Sequence, residues 1–144
     1  MNTKKSKPRS KNQAPKVIGK EKPIILITND DGISAPGIRN LVESVRDIGK
    51  IVVVAPDKPQ SGMGHAITIG EPLRLHKTHH FEGIESYSCS GTPVDCVKLA
   101  VDKVLHRKPD LCLSGINHGA NRSDSKVNTC GICQALGIFN RVIG

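Results

Sequence analysis

Asp30 and Asp31 are adjacent carboxylates that follow directly on an apolar run, Ile24-Ile25-Leu26-Ile27, and precede Gly32. Successive residues in a strand face opposite ways, but at a strand-to-loop exit both carboxylates can turn toward one point. Two anionic oxygen donors meeting there repel each other unless a cation lies between them. The simplest chemistry for the pair is therefore a hard divalent metal site. Ser61, Asn117 and Asn121, with Asn29 and His118 nearby, supply further donors on glycine-bearing stretches. Oxygen donors of this kind suit magnesium or manganese better than zinc. Gly32, Gly62, Gly64, Gly115 and Gly119 let backbone amides approach a ligand, as phosphate sites require. The set fits metal-assisted phosphate hydrolysis, in which the ion polarises a phosphoryl oxygen and lowers the pKa of a bound water. Each member also has a plainer use: either aspartate alone could cap the following turn, and the asparagines are turn formers. Gly62-Met63-Gly64 is a poor dinucleotide fingerprint, because the third glycine is missing and His65 leads into a strand.

The elements that must hold these residues read as strand, helix, strand. Ile24–Thr28 and Ile51–Ala55 are apolar throughout, as strands buried on both faces of a parallel sheet are. Between them Ser34-Ala35-Pro36-Gly37 starts a helix with proline at its first position. Ile38, Leu41, Val42, Val45 and Ile48 form its apolar stripe, and Gly49 is expected to end it as a left-handed cap. Residues 66–69, 73–75 and 84–89 read as short extended pieces on an excursion from the main sheet. Thr92-Pro93-Val94-Asp95 is a helix start with a capping box. Leu111–Leu113 is a third buried strand, followed by Ser114-Gly115-Ile116-Asn117-His118-Gly119-Ala120-Asn121. Ligands in open α/β sheets bind beyond the carboxyl ends of the strands, so the three following loops should share one rim.

Composition narrows the setting. The 144 residues suffice for one domain with a real core, and the 37% hydrophobic content has no run of the ~20 residues that a membrane span needs. The net charge of +8 suggests nucleic acid until it is located: residues 1–22 carry +7 of it. Residues 1–23 thus read as a basic, disordered tail without an apolar signal region, giving at most weak attraction to polyanions. Residues 24–144 form the near-neutral domain. Cys89, Cys96, Cys112, Cys130 and Cys133 read as small buried hydrophobes in a reducing cytosol, and the single C-x-x-C lacks a second pair to make a zinc site.

Four motifs in order resemble the SurE survival-protein family of metal-dependent 5′/3′-nucleotidases. They are Asn29-Asp30-Asp31-Gly32 with Ala35-Pro36-Gly37; Val54-Ala55-Pro56-Asp57 with Gln60-Ser61-Gly62; Gly91-Thr92-Pro93 with Asp95-Cys96-Val97; and Pro109-Asp110 with Ser114 to Asn121. The resemblance covers residues 24–121. It implies a three-layer α/β/α Rossmann-like sandwich with a mainly parallel sheet, and one divalent cation, manganese or magnesium. The implied metal ligands are Asp30, Asp31, Ser61 and Asn117, with Asp30, Asp31 and Asn117 catalytic. Asn121 matches an asparagine near the phosphate, alongside Gly62 and Gly119. The implied reaction is release of phosphate from nucleoside monophosphates by a cytoplasmic dimer or tetramer. After Asn121 the family continues with a Tyr-Ser-Gly-Thr segment and further strands, whereas here Arg122-Ser123-Asp124-Ser125-Lys126-Val127-Asn128 follows and Gly144 is last. The expectation is an N-terminal portion whose sheet is incomplete at the C-terminus, with Ile132, Leu136, Ile138 and Phe139 offering only a partial covering helix. Two other functions compete: a catalytically impaired fragment, and a nucleotide-binding module without hydrolysis. A haloacid-dehalogenase-type phosphatase fits less well, because its aspartates are arranged D-x-D and these are adjacent.

Overall fold

The computed structural model describes residues 21–60, 66–116 and, as backbone, 140–143. Ile24–Thr28 is β1, Pro36–Val45 is α1 and Lys50–Pro56 is β2. Leu75–Thr78 and Glu85–Cys89 are β3 and β4, Pro93–Leu99 is α2, Leu111–Gly115 is β5 and Asn140–Ile143 is β6. The six strands form one sheet in the order β3-β4-β2-β1-β5-β6. Every pairing is parallel except β3 with β4.

The period of two along each central strand builds the layers. Ile25, Ile27, Ile51, Val53, Ala55 and Leu113 point to one face, where they pack with Ile38, Leu41, Val42 and Val45 of α1. Leu26, Val52, Val54 and Cys112 point to the other, against Cys96 and Val97 of α2. A strand apolar at every position is what burial on both faces demands. The chain is thus an α/β/α sandwich, as the sequence suggests. α2 starts with the expected capping box, in which Thr92 and Asp95 each satisfy the other's backbone amide. It continues in π-helical winding over Ala100–Leu105 and stops at His106, which takes a left-handed conformation with φ 53°.

Several expectations need correction. Gly49 is not a left-handed cap: α1 ends at Val45, and the next residues turn so that Lys50 can start β2. Ile48, expected on the apolar stripe, is 58% exposed. The real constraint on Gly49 is close approach, since a β-carbon there would meet the Pro23 carbonyl and the Ile25 side chain. Residues 66–69 are not a strand, and the extended piece near 73–75 is displaced to β3. Residues 75–89 are not an excursion, because β4 pairs in parallel with β2 inside the main sheet. Beyond β5 the sheet gains β6, which pairs with it in parallel over four residues. Ile132, Leu136, Ile138 and Phe139 lie outside the described residues. Cys89, Cys96 and Cys112 are free and buried, as expected. Among the described residues no helix is long and apolar enough to cross a membrane.

Candidate metal centre

β1 is central, with β2 and β5 as its neighbours, so its carboxyl end opens onto the middle of the rim. The chain leaves it in a tight turn. Asn29, fully buried, donates from Nδ2 to the Gly32 carbonyl at 2.9 Å, and its Oδ1 accepts from the Gly32 amide at 3.2 Å. This two-way brace closes the turn around Asp30 and Asp31. Gly32 adopts φ +97°, a conformation that strains L side chains, so glycine is required there. The turn is therefore capped by Asn29 from within. Asp30 Oδ1 takes no part in that cap.

Two backbone hydrogen bonds stitch this turn to the exit of β2. The Ile33 amide donates to the Pro56 carbonyl at 2.9 Å, and the Gln60 amide donates to the Asp30 carbonyl at 2.7 Å. The exit of β5 approaches from the other side. Gly37, in the first turn of α1, lies so close to Ile116 that an added β-carbon would collide with its carbonyl. The three exits thus meet on one rim, as the parallel arrangement predicts.

Asp30 is the electrostatic anomaly of the rim. Among the described residues its Oδ1 is buried without a hydrogen-bond partner. Burial raises its carboxyl above the usual range; its own backbone amide opposes this and the charge of Asp31 adds to it. A desolvated carboxylate beside a second carboxylate is stabilised most directly by a cation between them. The donors present fit a divalent ion that prefers oxygen. Among the described residues there is no cluster of three or more His, Cys, Asp and Glu. Two carboxylates completed by neutral oxygens remain the arrangement to consider.

Of the expected site residues, Asp30 and Asp31 stand together on the braced turn. Ser61, Gly62, Asn117, Gly119 and Asn121 lie outside the described residues, as do Gly64 and His118. Ser61 follows Gln60, which is bonded to Asp30, and Asn117 follows Ile116, which abuts α1. Asp95, expected only as a helix cap, is 1% exposed and also bonded to Thr68. Burial pushes its carboxyl up, but the hydrogen bonds from Thr68 and Thr92 outweigh that and hold it below the usual range. No local pattern announces a partner 27 residues away.

Comparison with known proteins agrees with the fold. The family described as "Survival protein SurE" matches residues 25–136. A "5'-nucleotidase SurE" from Christiangramia forsetii is 61% identical over 108 residues, covering 74% of this chain and 42% of the relative. One from Flavobacterium johnsoniae is 67% identical over 104 residues, covering 72% of this chain and 40% of the relative. The crystal structure of the SurE protein from Aquifex aeolicus superposes with a TM-score of 0.66 at 40% identity. That match covers 82% of this chain and 49% of the other. The chain thus spans about two-fifths of the length of these curated relatives.

Proposed function

The chain belongs to the SurE survival-protein family, and from that premise we propose that it carries the metal-binding part of a phosphoric monoester hydrolase acting on nucleoside monophosphates. One observation supports this above the others: a buried carboxylate oxygen of Asp30, without a partner among the described residues, beside Asp31 on the central strand's exit. The names of the relatives, 5'-nucleotidase SurE, point the same way. Asp30, Asp31, Ser61 and Asn117 would hold one manganese or magnesium ion. When bound, the ion polarises a phosphoryl oxygen and supplies a water of lowered pKa. The chain's own residues do the rest. Asn29 and Gly32 keep the aspartate turn closed before the ion arrives, so little ordering is left for the moment of binding. Asn121 and the amides near Gly62 and Gly119 would meet the phosphate, where glycine permits close backbone approach. A cytoplasmic homodimer or tetramer is the proposed working form.

The test is phosphate release from nucleoside monophosphates by the purified chain, with manganese or magnesium and with EDTA. Metal-dependent release, lost with EDTA and restored by manganese, is expected. Release indifferent to EDTA would remove the metal from the reaction. A second reading, an impaired fragment, is favoured by one feature: Arg122–Asn128 stands where the family's Tyr-Ser-Gly-Thr segment would help cradle phosphate. It predicts metal binding of ordinary strength with turnover far below that of a longer relative.

The basic tail is proposed to stand apart from this chemistry. Deleting residues 1–22, which carry +7 of the +8 charge, should abolish retention on heparin at low salt and leave turnover unchanged. Turnover lost with the deletion would place the tail in the site.

A further inference from the structure

We propose that Thr28 is a positioning residue for the metal centre, its hydroxyl holding the Asp30 carboxylate in the orientation that meets the ion. This rests on the reading of Asp30 as a ligand given above. Thr28 is the last residue of β1 and is 1% exposed. Among the described residues its Oγ1 has no hydrogen-bond partner. Asn29, Ser86, Thr92 and Asp95 are the other buried polar residues described, and the side chain of each is hydrogen-bonded. The neighbouring strand does not satisfy Thr28 either: its register partner on β5 is Ser114, and the two hydroxyls are not bonded. An unpaired buried hydroxyl lowers stability, and valine would suit a central parallel strand at least as well. Such a group calls for a partner that arrives with a ligand.

Asp30 Oδ1 is the other buried side-chain oxygen without a partner among the described residues. The two orphaned atoms thus belong to residues two apart on one strand exit. Side chains at i and i+2 share a side of an extended chain, and Asn29 between them is turned to Gly32 instead. Along β1, Ile25 and Ile27 pack with α1 and Leu26 with α2, so the alternation puts Thr28 on the α2 side. A carboxylate that ligates a metal is itself held by an outer hydrogen bond, which fixes its orientation. Thr28 has the one O–H donor that this needs, and a carboxylate oxygen accepts it. Without the ion the two atoms are not bonded to each other. A turn of either side chain, or one bridging water, joins them when the carboxylate takes its metal-binding orientation.

Thr28→Val keeps the shape and removes the hydroxyl. Manganese binding to the full chain, by calorimetry, should weaken by about tenfold to a hundredfold, the usual effect of losing an outer partner of a metal ligand. The metal-free melting temperature should stay the same or rise, because the lost hydroxyl had no partner to lose. A merely structural hydroxyl would give the reverse pattern, a lower melting temperature with unchanged manganese affinity, and would overturn the proposal. Should Thr28→Val fail to fold, Thr28→Ser and Thr28→Ala differ only in the hydroxyl and carry the same comparison. Tighter manganese binding by the serine variant is expected, and equal affinities would overturn the proposal. No manganese binding by the unaltered chain would sink the reading of Asp30 as a ligand and this role with it. Ordinary binding by both the unaltered chain and Thr28→Val would sink only the role of Thr28.

Discussion

Asp30→Asn and Asp31→Asn should each abolish manganese binding and reduce metal-dependent phosphate release by more than about a hundredfold. Outer-sphere partners of a metal typically account for 10- to 100-fold, and the proposed function puts these residues inside that sphere. Stability supplies the sharper test. The Asp30 carboxyl is raised by burial and by Asp31, so folding disfavours its charge. A carboxyl whose folded pKa lies above its unfolded value costs stability as pH rises through that interval and beyond. Removing the charge at neutral pH should therefore leave the metal-free protein as stable as before, or more so. Added manganese should raise the melting temperature of the unaltered chain and not of the variants. An ion at a hundred times its Kd contributes about 2.7 kcal/mol to the folded state. If Asp30→Asn melts several degrees lower without metal, its role is structural. If it keeps ordinary manganese affinity, the ligand assignment is wrong.

What could be read from sequence followed the strength of the burial signal. β1, β2 and β5 are legible because burial on both faces forces aliphatic residues at every position, as in Ile51-Val52-Val53-Val54. β3 and β4 are Leu-His-Lys-Thr and Glu-Ser-Tyr-Ser-Cys. They lie toward the edge of the sheet and bury less, so no apolar run announces them, and pairing with β2 is a long-range matter. Ile67 and Ile69 misled in the opposite direction. Their alternation suggests a strand, yet Ile69 is 90% exposed and the segment is held by Asp95 and Thr92 rather than by a ladder. Ile48 kept the helical period beyond the helix because periodicity cannot see that Gly49 must turn under Pro23. At the site, the aspartate pair was visible from charge crowding alone. The brace by Asn29, like the bonds from Thr68 to Asp95 elsewhere, depends on tertiary geometry that residue types do not specify.

Gly37→Ala should lower stability, against what helix propensity alone would give. Gly37 is the second residue of α1, has no positive φ, and would ordinarily gain roughly 0.5–1 kcal/mol from alanine. The contact with the β5 exit reverses the sign. An alanine β-carbon would collide with the Ile116 carbonyl oxygen and stand 2.9 Å from its carbon and 3.4 Å from its Cα. All three neighbours are backbone, so no flexible side chain can swing aside. Overpacking of this kind costs about 1–3 kcal/mol, enough to exceed the propensity gain. Gly83 provides the contrast. Its φ is +68° with nothing within 4 Å, and asparagine tolerates that conformation, so Gly83→Asn should be close to neutral. Urea denaturation of the three proteins decides the matter. A higher midpoint for Gly37→Ala would mean that α1 does not rest on the β5 exit. A lower midpoint accompanied by weaker manganese binding would follow if this contact also sets the distance between the Asp30–Asp31 turn and the chain entering Asn117.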